Sequence, residues 1–475
     1  MRRSPWATLA VLALAQFIVV LDVTIVNVAL PDIQSDLNFS ADTLQWVISA
    51  YTLLFGGFLL LGGRMADLLG PRRVFIAGLL LFGTTSLIAG LSSSPGFLIG
   101  ARAAQGLGGA MLSPAALAIL TVTFAHGRER NIAMGVWGGL AGLGGTLGVV
   151  AGGVLVDSLS WQWVFFVNVP IVIALVAVIP VFVRDTRHGQ TGDRTFDTAG
   201  AVLGTAGLLA VVYGVVRAEP KGWGSAEVLG FLIGGLVLLG AFVAVEARSK
   251  APLVPLRLFR SRALSVSSGS LALNGAGFLS MFFLTAIYLQ QVRGDSALEA
   301  GVHFLPMGGA AIIGAVLASQ LVQSLGTRTV QLSGSVLSVA GLLLLSRADA
   351  TGSYTSQLLP GLILFGAGII GVGVPAQIAA VSDVEHHEAG AASGVVTAVY
   401  QVGGALGLAV VTTLSISRTT DALMHGVPQQ QALVEGFQRG LLVAAAFAVV
   451  NVLVTLGTPQ LQPDSEKIAE AAVAA

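Results

Sequence analysis

Of the 24 acidic residues in the chain, one, Asp22, lies well inside a hydrophobic run, Phe17-Ile-Val-Val-Leu-Asp22-Val-Thr-Ile-Val-Asn27-Val-Ala-Leu-Pro31. An ionised carboxylate in hydrocarbon costs about 3 kcal/mol or more unless it is paired, hydrated or protonated, so such a residue commonly marks an ion or proton path. Of the 24 basic residues, one, Arg102, is buried in a hydrophobic run in the same way. On a helix, Arg102, Gln105, Gly106 and Gly109 share one face at spacings i, i+3, i+4 and i+7. That stripe sets a charge and an amide beside a smooth groove where another helix can approach. The chemistry these residues suit is reversible protonation of Asp22, with Arg102 taking part. The plainer alternatives are a carboxylate that only ties two helices together and an arginine that snorkels to the headgroups.

The elements that hold these residues follow from composition. The chain has 475 residues, 55% hydrophobic and 10% charged, with a mean hydropathy of +0.85. Soluble domains carry about 25% charged residues, so the main solvent of this chain is lipid. A net charge of zero argues against a nucleic-acid partner. Cysteine is absent, which excludes disulfides and thiolate metal sites. Arg outnumbers Lys, and Ala and Gly are abundant, a composition expected of a GC-rich bacterium. The start, Met-Arg-Arg and then a long apolar run, is expected to be an uncleaved first span rather than a signal peptide.

Breaking the apolar runs at charges and at Pro or Gly clusters gives fourteen spans: 7–30, 44–62, 74–91, 96–122, 132–156, 162–183, 198–216, 227–246, 264–290, 300–323, 328–346, 356–381, 390–415 and 438–457. With the N-terminus inside, seventeen Arg and Lys fall on the inner side and six on the outer, Arg102 completing the 24. The positive-inside rule therefore places both termini in the cytoplasm. Arg102 then lies about seven residues below the outer surface and Asp22 about eight, near ~10 Å at 1.5 Å per residue. The two buried charges are expected at one depth.

A weak internal repeat supports a symmetric design. Gly63-Arg-Met-Ala-Asp67-Leu-Leu-Gly70-Pro-Arg72-Arg73 lies between spans two and three, and Ser319-Gln-Leu-Val-Gln323-Ser-Leu-Gly326-Thr-Arg328 between spans ten and eleven. They match at Gly70/Gly326 and Arg72/Arg328, eight spans apart. Two six-span halves separated by two extra spans give that displacement. Parallel repeats of this kind are a transporter architecture, with the substrate path between the halves.

The chain resembles the major facilitator superfamily, specifically its fourteen-span branch of drug:proton antiporters. The resemblance covers almost the whole chain. Leu21-Asp22-Val-Thr-Ile-Val-Asn27-Val-Ala-Leu-Pro31 is similar to that branch's first-helix signature. Gly63-x-x-Ala66-Asp67-x-x-Gly70-x-Arg72-Arg73 resembles the loop motif general to the superfamily, and Arg102-x-x-Gln105-Gly106-x-Gly108-x-Ala110 the fourth-helix motif, whose Arg is implied to take part in proton transfer. The Gly-rich fifth span and Trp161-x-Trp163-x-Phe165-x-x-Asn168-x-Pro170 also resemble it. In the fifth span the antiporter motif has Pro where this chain has Val149, between Gly148 and the pair Gly152-Gly153, and Gln162 stands where Arg is usual. Close helix packing at the glycines is retained as an expectation; a proline kink is not.

The resemblance implies an all-α membrane protein of the major-facilitator fold. Its parts are an N-terminal six-helix bundle (1–183), a cytoplasmic linker with two extra helices (184–262), a C-terminal six-helix bundle (263–457) and a cytoplasmic tail (458–475). It implies proton-coupled efflux of amphipathic organic compounds, drugs or antibiotics by alternating access, in a monomer. Asp22 and Arg102 are the proton-coupling candidates, and a cationic compound exchanging for the proton is a second use of Asp22. Asp67, Arg72 and Arg73, which flank a Gly-Pro turn, are candidates for a conformational latch or a plain positive-inside anchor. Asn27, Asn274, Gln377, Tyr400 and Gln401 are polar residues inside spans, expected either to line a cavity or to bond between helices. His386-His387 belongs to a solvated loop rather than a metal site. Gly366-Ala-Gly368-Ile-Ile-Gly371 matches a dinucleotide fingerprint, but in an apolar span with no preceding strand it reads as helix packing. There is no H-E-x-x-H, G-x-S-x-G or P-loop, so no cofactor and no enzyme activity is expected; the proton gradient is the energy source. A narrow-specificity metabolite or antibiotic exporter, an uptake symporter and a non-transporting membrane sensor are the competing readings.

Overall fold

A computed structural model describes residues 4–124, 147–183, 197–249, 252–254, 256–382 and 389–460, together with Glu129 and Ala133. Among the described residues, fourteen long or apolar helices follow one another: α1 (Pro5–Asp36), α2 (Trp46–Leu69), α3 (Pro71–Gly90), α4 (Pro95–Thr123), α5 (Leu147–Ser158), α6 (Trp163–Phe182), α7 (Thr198–Lys221), α8 (Ala226–Glu246), α9 (Arg262–Ile287), α10 (Ala297–Leu325), α11 (Thr327–Leu345), α12 (Leu359–Ser382), α13 (Ala389–Met424) and α14 (Gln429–Thr455). Twelve of them have the length and composition to cross a membrane, and two shorter apolar stretches, Trp46–Leu59 of α2 and Leu147–Ser158, fall where the remaining spans are expected. No strand occurs among the described residues.

Local sequence sets many of the ends. Pro occupies the first turn of α1, α3 and α4, where its missing N–H costs nothing. Ser296 and Glu299 form a capping box at the start of α10. Between α2 and α3, Gly70 has φ +94°, and between α10 and α11, Gly326 has φ +79°. Each ends one helix and begins the next. The repeated glycine thus supplies a left-handed backbone at the same turn of both halves, a conformation that a side chain disfavours.

Helix contacts repeat with the same displacement of eight. Helix α2 packs on α4, and α10 on α12; α3 on α4, and α11 on α12; α3 on α6, and α11 on α14; α1 on α6, and α9 on α14. The α7–α8 hairpin leans on α2 and α13, one from each half. Two helices differ from the hydropathy expectation. Helix α13 runs nine residues past 415, and α14 starts nine residues before 438. These extensions form a polar hairpin tied by Arg418 to Glu435 at 2.8 Å. A search for apolar runs stops at the first charges, whereas the helix continues through them. Residues 134–146 of the expected fifth span, residues 184–196 of the expected linker, the expected loop at 383–388 and the tail beyond 460 lie outside the described residues.

The apolar core is divided unequally along the bundle. At the end farther from the chain termini, one cluster joins both halves, from Leu30, Ile33 and Phe39 to Phe282, Tyr288 and Phe437. At the other end the clusters separate. One lies in α1–α4 and α6, with Leu12, Phe75 and Leu120, and another in α9, α12 and α13, with Leu271, Ala376 and Val396. Polar contacts reinforce the shared end. Gln290 Nε2 donates to Val28 O (2.9 Å), and the Asp157 carboxylate accepts from the backbone N–H groups of Ala297 (3.1 Å) and Leu298 (3.0 Å) at the start of α10. The molecule is closed at one end and parted at the other.

Candidate functional site

Asp22 and Arg102 meet. The Asp22 side chain is 0% exposed and that of Arg102 1%, and Arg102 Nη1 donates to Asp22 Oδ2. Gln105, one turn further along α4, accepts from Arg102 Nη1 at 2.7 Å and donates to Asp22 Oδ1 at 2.8 Å. The face sharing of Arg102 and Gln105 is what lets one carboxylate bind both. Two further residues complete the cluster. Asn168 of α6 donates to Asp22 Oδ1 (3.2 Å) and to Ser86 Oγ of α3 (3.1 Å), and Ser86 donates to Phe165 O (2.9 Å).

The surroundings of Arg102 fix its plane. Its Nε donates to Val47 O at 3.0 Å, and its Cζ sits 4.4 Å from the Tyr51 ring centroid and 5.7 Å from that of Phe165. Gly106 makes this possible, because a Cβ there would lie 2.4 Å from Tyr51 O and hold α2 away from α4. Asp22 therefore accepts from three donors, Arg102 and Gln105 of α4 and Asn168 of α6.

The α5 glycines pack where close approach was expected. A Cβ on Gly148 would lie 2.1 Å from Thr24 Oγ1, on Gly152 3.0 Å from Ile25 O, and on Gly153 2.5 Å from Leu298 Cα. The first two hold α5 against α1 beside Asp22, and the third holds it against α10 of the other half. Val149, in place of the motif proline, is buried and lines the central cavity. At the α2–α3 turn, Arg72 is half-buried and Arg73 exposed. Asp67 lies in the last turn of α2, and its side chain is outside the described residues.

Between the halves is a cavity of about 420 Å³. Asn274, Gln377, Tyr400 and Gln401 all line it, with Gln16, Tyr51, Phe278, Phe282, Phe304 and Met307 among the other walls. Asn274 also bonds between helices, its Nδ2 donating to Ile369 O at 3.0 Å. Asn27 is not a lining residue: it is buried and its Nδ2 turns back to Val23 O at 2.7 Å. Neither Asp22 nor Arg102 lines the cavity. Tyr51 touches both regions, as cavity wall and as the ring under Arg102. Sequence reasoning did not single out Tyr51, Ser86 or Asn168 as site residues. The signal for Asn168 was an amide set among Val and Phe within a short aromatic stretch.

The family model for the Major Facilitator Superfamily matches residues 12–408. A puromycin resistance protein of Streptomyces alboniger is 41% identical, over 95% of this chain and 90% of that protein. A cephamycin export protein of Amycolatopsis lactamdurans is 40% identical, over 86% of this chain and 84% of that one. A tetracenomycin C resistance and export protein of Streptomyces glaucescens is 36% identical, over 89% and 78%. Among solved structures, a bacterial homologue of the lysosomal transporter Spinster, in an inward-facing and occupied conformation, superposes with a TM-score of 0.70 at 15% identity, over 97% of this chain and 98% of that chain. The chain belongs to the major facilitator superfamily.

Proposed function

We propose that the chain exports amphipathic organic compounds, drugs or antibiotics among them, from a bacterial cell in exchange for protons. The observation that carries this is a fully buried carboxylate, held by three donors, beside but screened from a cavity between two pseudo-symmetric halves. The printed names of the relatives, resistance to or export of puromycin, cephamycin and tetracenomycin C, support the substrate class and the direction.

On the positive-inside assignment both termini are cytoplasmic, so the closed end is the outer one and the structure is open inward. Substrate enters from the cytoplasm while Asp22 is ionised and clamped. As the bundles 1–183 and 263–457 rock, α1 shifts against α4 and the donors separate. Asp22 then takes a proton from the outer side and returns it inside when the clamp closes again. The driving force suffices: a charge crossing 100 mV is worth ~2.3 kcal/mol and a pH unit adds ~1.4 kcal/mol. The Asp67–Arg72–Arg73 turn latches the cytoplasmic side in the opposite state, and the working unit is a monomer.

Inside-out vesicles test the reading. Asp22→Asn abolishes substrate uptake driven by an imposed pH gradient, and the double variant D22N/R102Q, which leaves no buried charge unpaired, also fails to transport while melting as a folded protein. Gradient-driven transport at the wild-type rate in Asp22→Asn removes Asp22 from the mechanism.

A further inference from the structure

Among the described residues, no charged side chain lines the central cavity. Its polar groups are amides, hydroxyls and two phenols. Gln16 Oε1 is buried without a hydrogen-bond partner, and the side chains of Gln377, Tyr400 and Gln401 have none among the described residues. These groups come from α1, α12 and α13, so they converge from both halves. An amide both donates and accepts, which suits the carbonyl and hydroxyl groups of a neutral molecule.

The carboxylate that a cation would need is out of reach. Asp22 has no exposure, already accepts three hydrogen bonds, and lies behind Tyr51, Val23 and Thr24 of the cavity wall. Several of the aromatic faces, the other means of holding a cation, are engaged. The Tyr51 ring carries the Arg102 guanidinium at 4.4 Å, and Phe282 and Phe304 stack on each other with centroids 4.4 Å apart and planes 13° apart. A permanent cation entering here loses its hydration without meeting a counter-charge. A flat, uncharged ring system loses little and gains the apolar walls, and the cavity volume falls in the range of drug-sized ligand sites.

We propose that the cavity selects uncharged, aromatic organic molecules bearing carbonyl or hydroxyl groups, and that it discriminates against permanent organic cations. This rests on the export reading only in calling the ligand a substrate; binding itself is tested without transport. The protein in lipid nanodiscs is titrated by equilibrium dialysis with quinizarin, a neutral dihydroxyanthraquinone, and with tetraphenylphosphonium, a permanent aromatic cation. Quinizarin binds saturably, and the cation binds at least about tenfold more weakly, as expected for a desolvated charge left unpaired. Gln377→Leu and Tyr400→Phe, which remove one polar group each and keep most of the side-chain volume, weaken quinizarin by roughly two- to tenfold. Asp22→Asn loses transport on the export reading yet binds quinizarin, so the two readings fail separately. Absence of saturable quinizarin binding overturns the proposal. So does tetraphenylphosphonium binding as tightly as quinizarin.

Discussion

The two halves share a backbone plan and differ in what ties their innermost helices together. In the N-terminal half, α1 and α4 are joined by a buried ion pair with Gln105, Ser86 and Asn168 around it. At the matching place in the C-terminal half, α9 and α12 are joined by one neutral bond from Asn274 to Ile369 O, and Gln331 of α11 reaches Ser270 at 2.8 Å. The neutral polar side chains facing the cavity come from both halves, Gln16, Thr24, Tyr51 and Ser113 from the N-terminal one and Asn274, Gln377, Thr397, Tyr400 and Gln401 from the other. The duplicated architecture thus confines its buried ion pair to one half, while both halves present neutral groups to the cavity. A buried charge is tolerable only where its whole shell is satisfied, and holding it behind the wall at one place leaves the cavity lined by neutral groups alone.

Breaking the charged half has the largest expected effect. Arg102→Leu leaves Asp22 buried without its counter-charge and lowers stability by about 3–5 kcal/mol, while D22N/R102Q recovers most of the loss. Thermal unfolding in detergent measures both, and equal melting temperatures for the single and double variants would dissolve the distinction between the halves. Placing charge in the neutral half sharpens it. Asn274→Asp sets a carboxylate on the cavity wall and raises tetraphenylphosphonium affinity by roughly tenfold or more, since an opposite charge at close range is worth a few kcal/mol even in a polarisable site. Next comes the contact that joins the halves: Asp157→Ala removes the acceptor for two N–H groups of α10 and costs roughly 1 kcal/mol, the usual value of a helix cap. With Ser113→Cys introduced on the cavity wall, thiol labelling from the shared end rises in that variant.

The smallest effect lies in the loop between α11 and α12. The backbone N–H and hydroxyl of Thr351, with Gln357 and the Gly352 N–H, hold the Asp349 carboxyl down at about 2. Its support is complete above the ordinary carboxylate value of 3.8 and is lost as pH falls toward 2. Melting temperatures of wild type and Asp349→Ala differ at neutral pH and converge toward pH 2.

Much of this was legible from residue spacing. Twelve of the fourteen spans read from hydropathy correspond to helices long and apolar enough to cross a membrane, and counting residues from the span ends put Asp22 and Arg102 at one level, where they touch. The i, i+3 spacing put Gln105 beside them. Asn168 and Ser86 were not legible because they reach Asp22 and Gln105 across sequence separations of 146 and 19, set by helix packing rather than by any local pattern. The partition by Tyr51 was hidden for the same reason: a tyrosine in an apolar helix gives no sign that a guanidinium from another helix will lie on its ring. The nine-residue extensions of α13 and α14 escaped because helical backbone does not end where lipid does.

The α7–α8 hairpin bears on α2 and α13, which belong to opposite halves, through Leu53, Val212, Val215, Val216, Ala405 and Ala409, with a hydrogen bond from Thr413 to Val215 O. Small aliphatic side chains slide past one another without a preferred register. On the rocking proposed above, the hairpin acts as a greased bearing at the seam, keeping lipid out of the joint while the parts beneath it swivel.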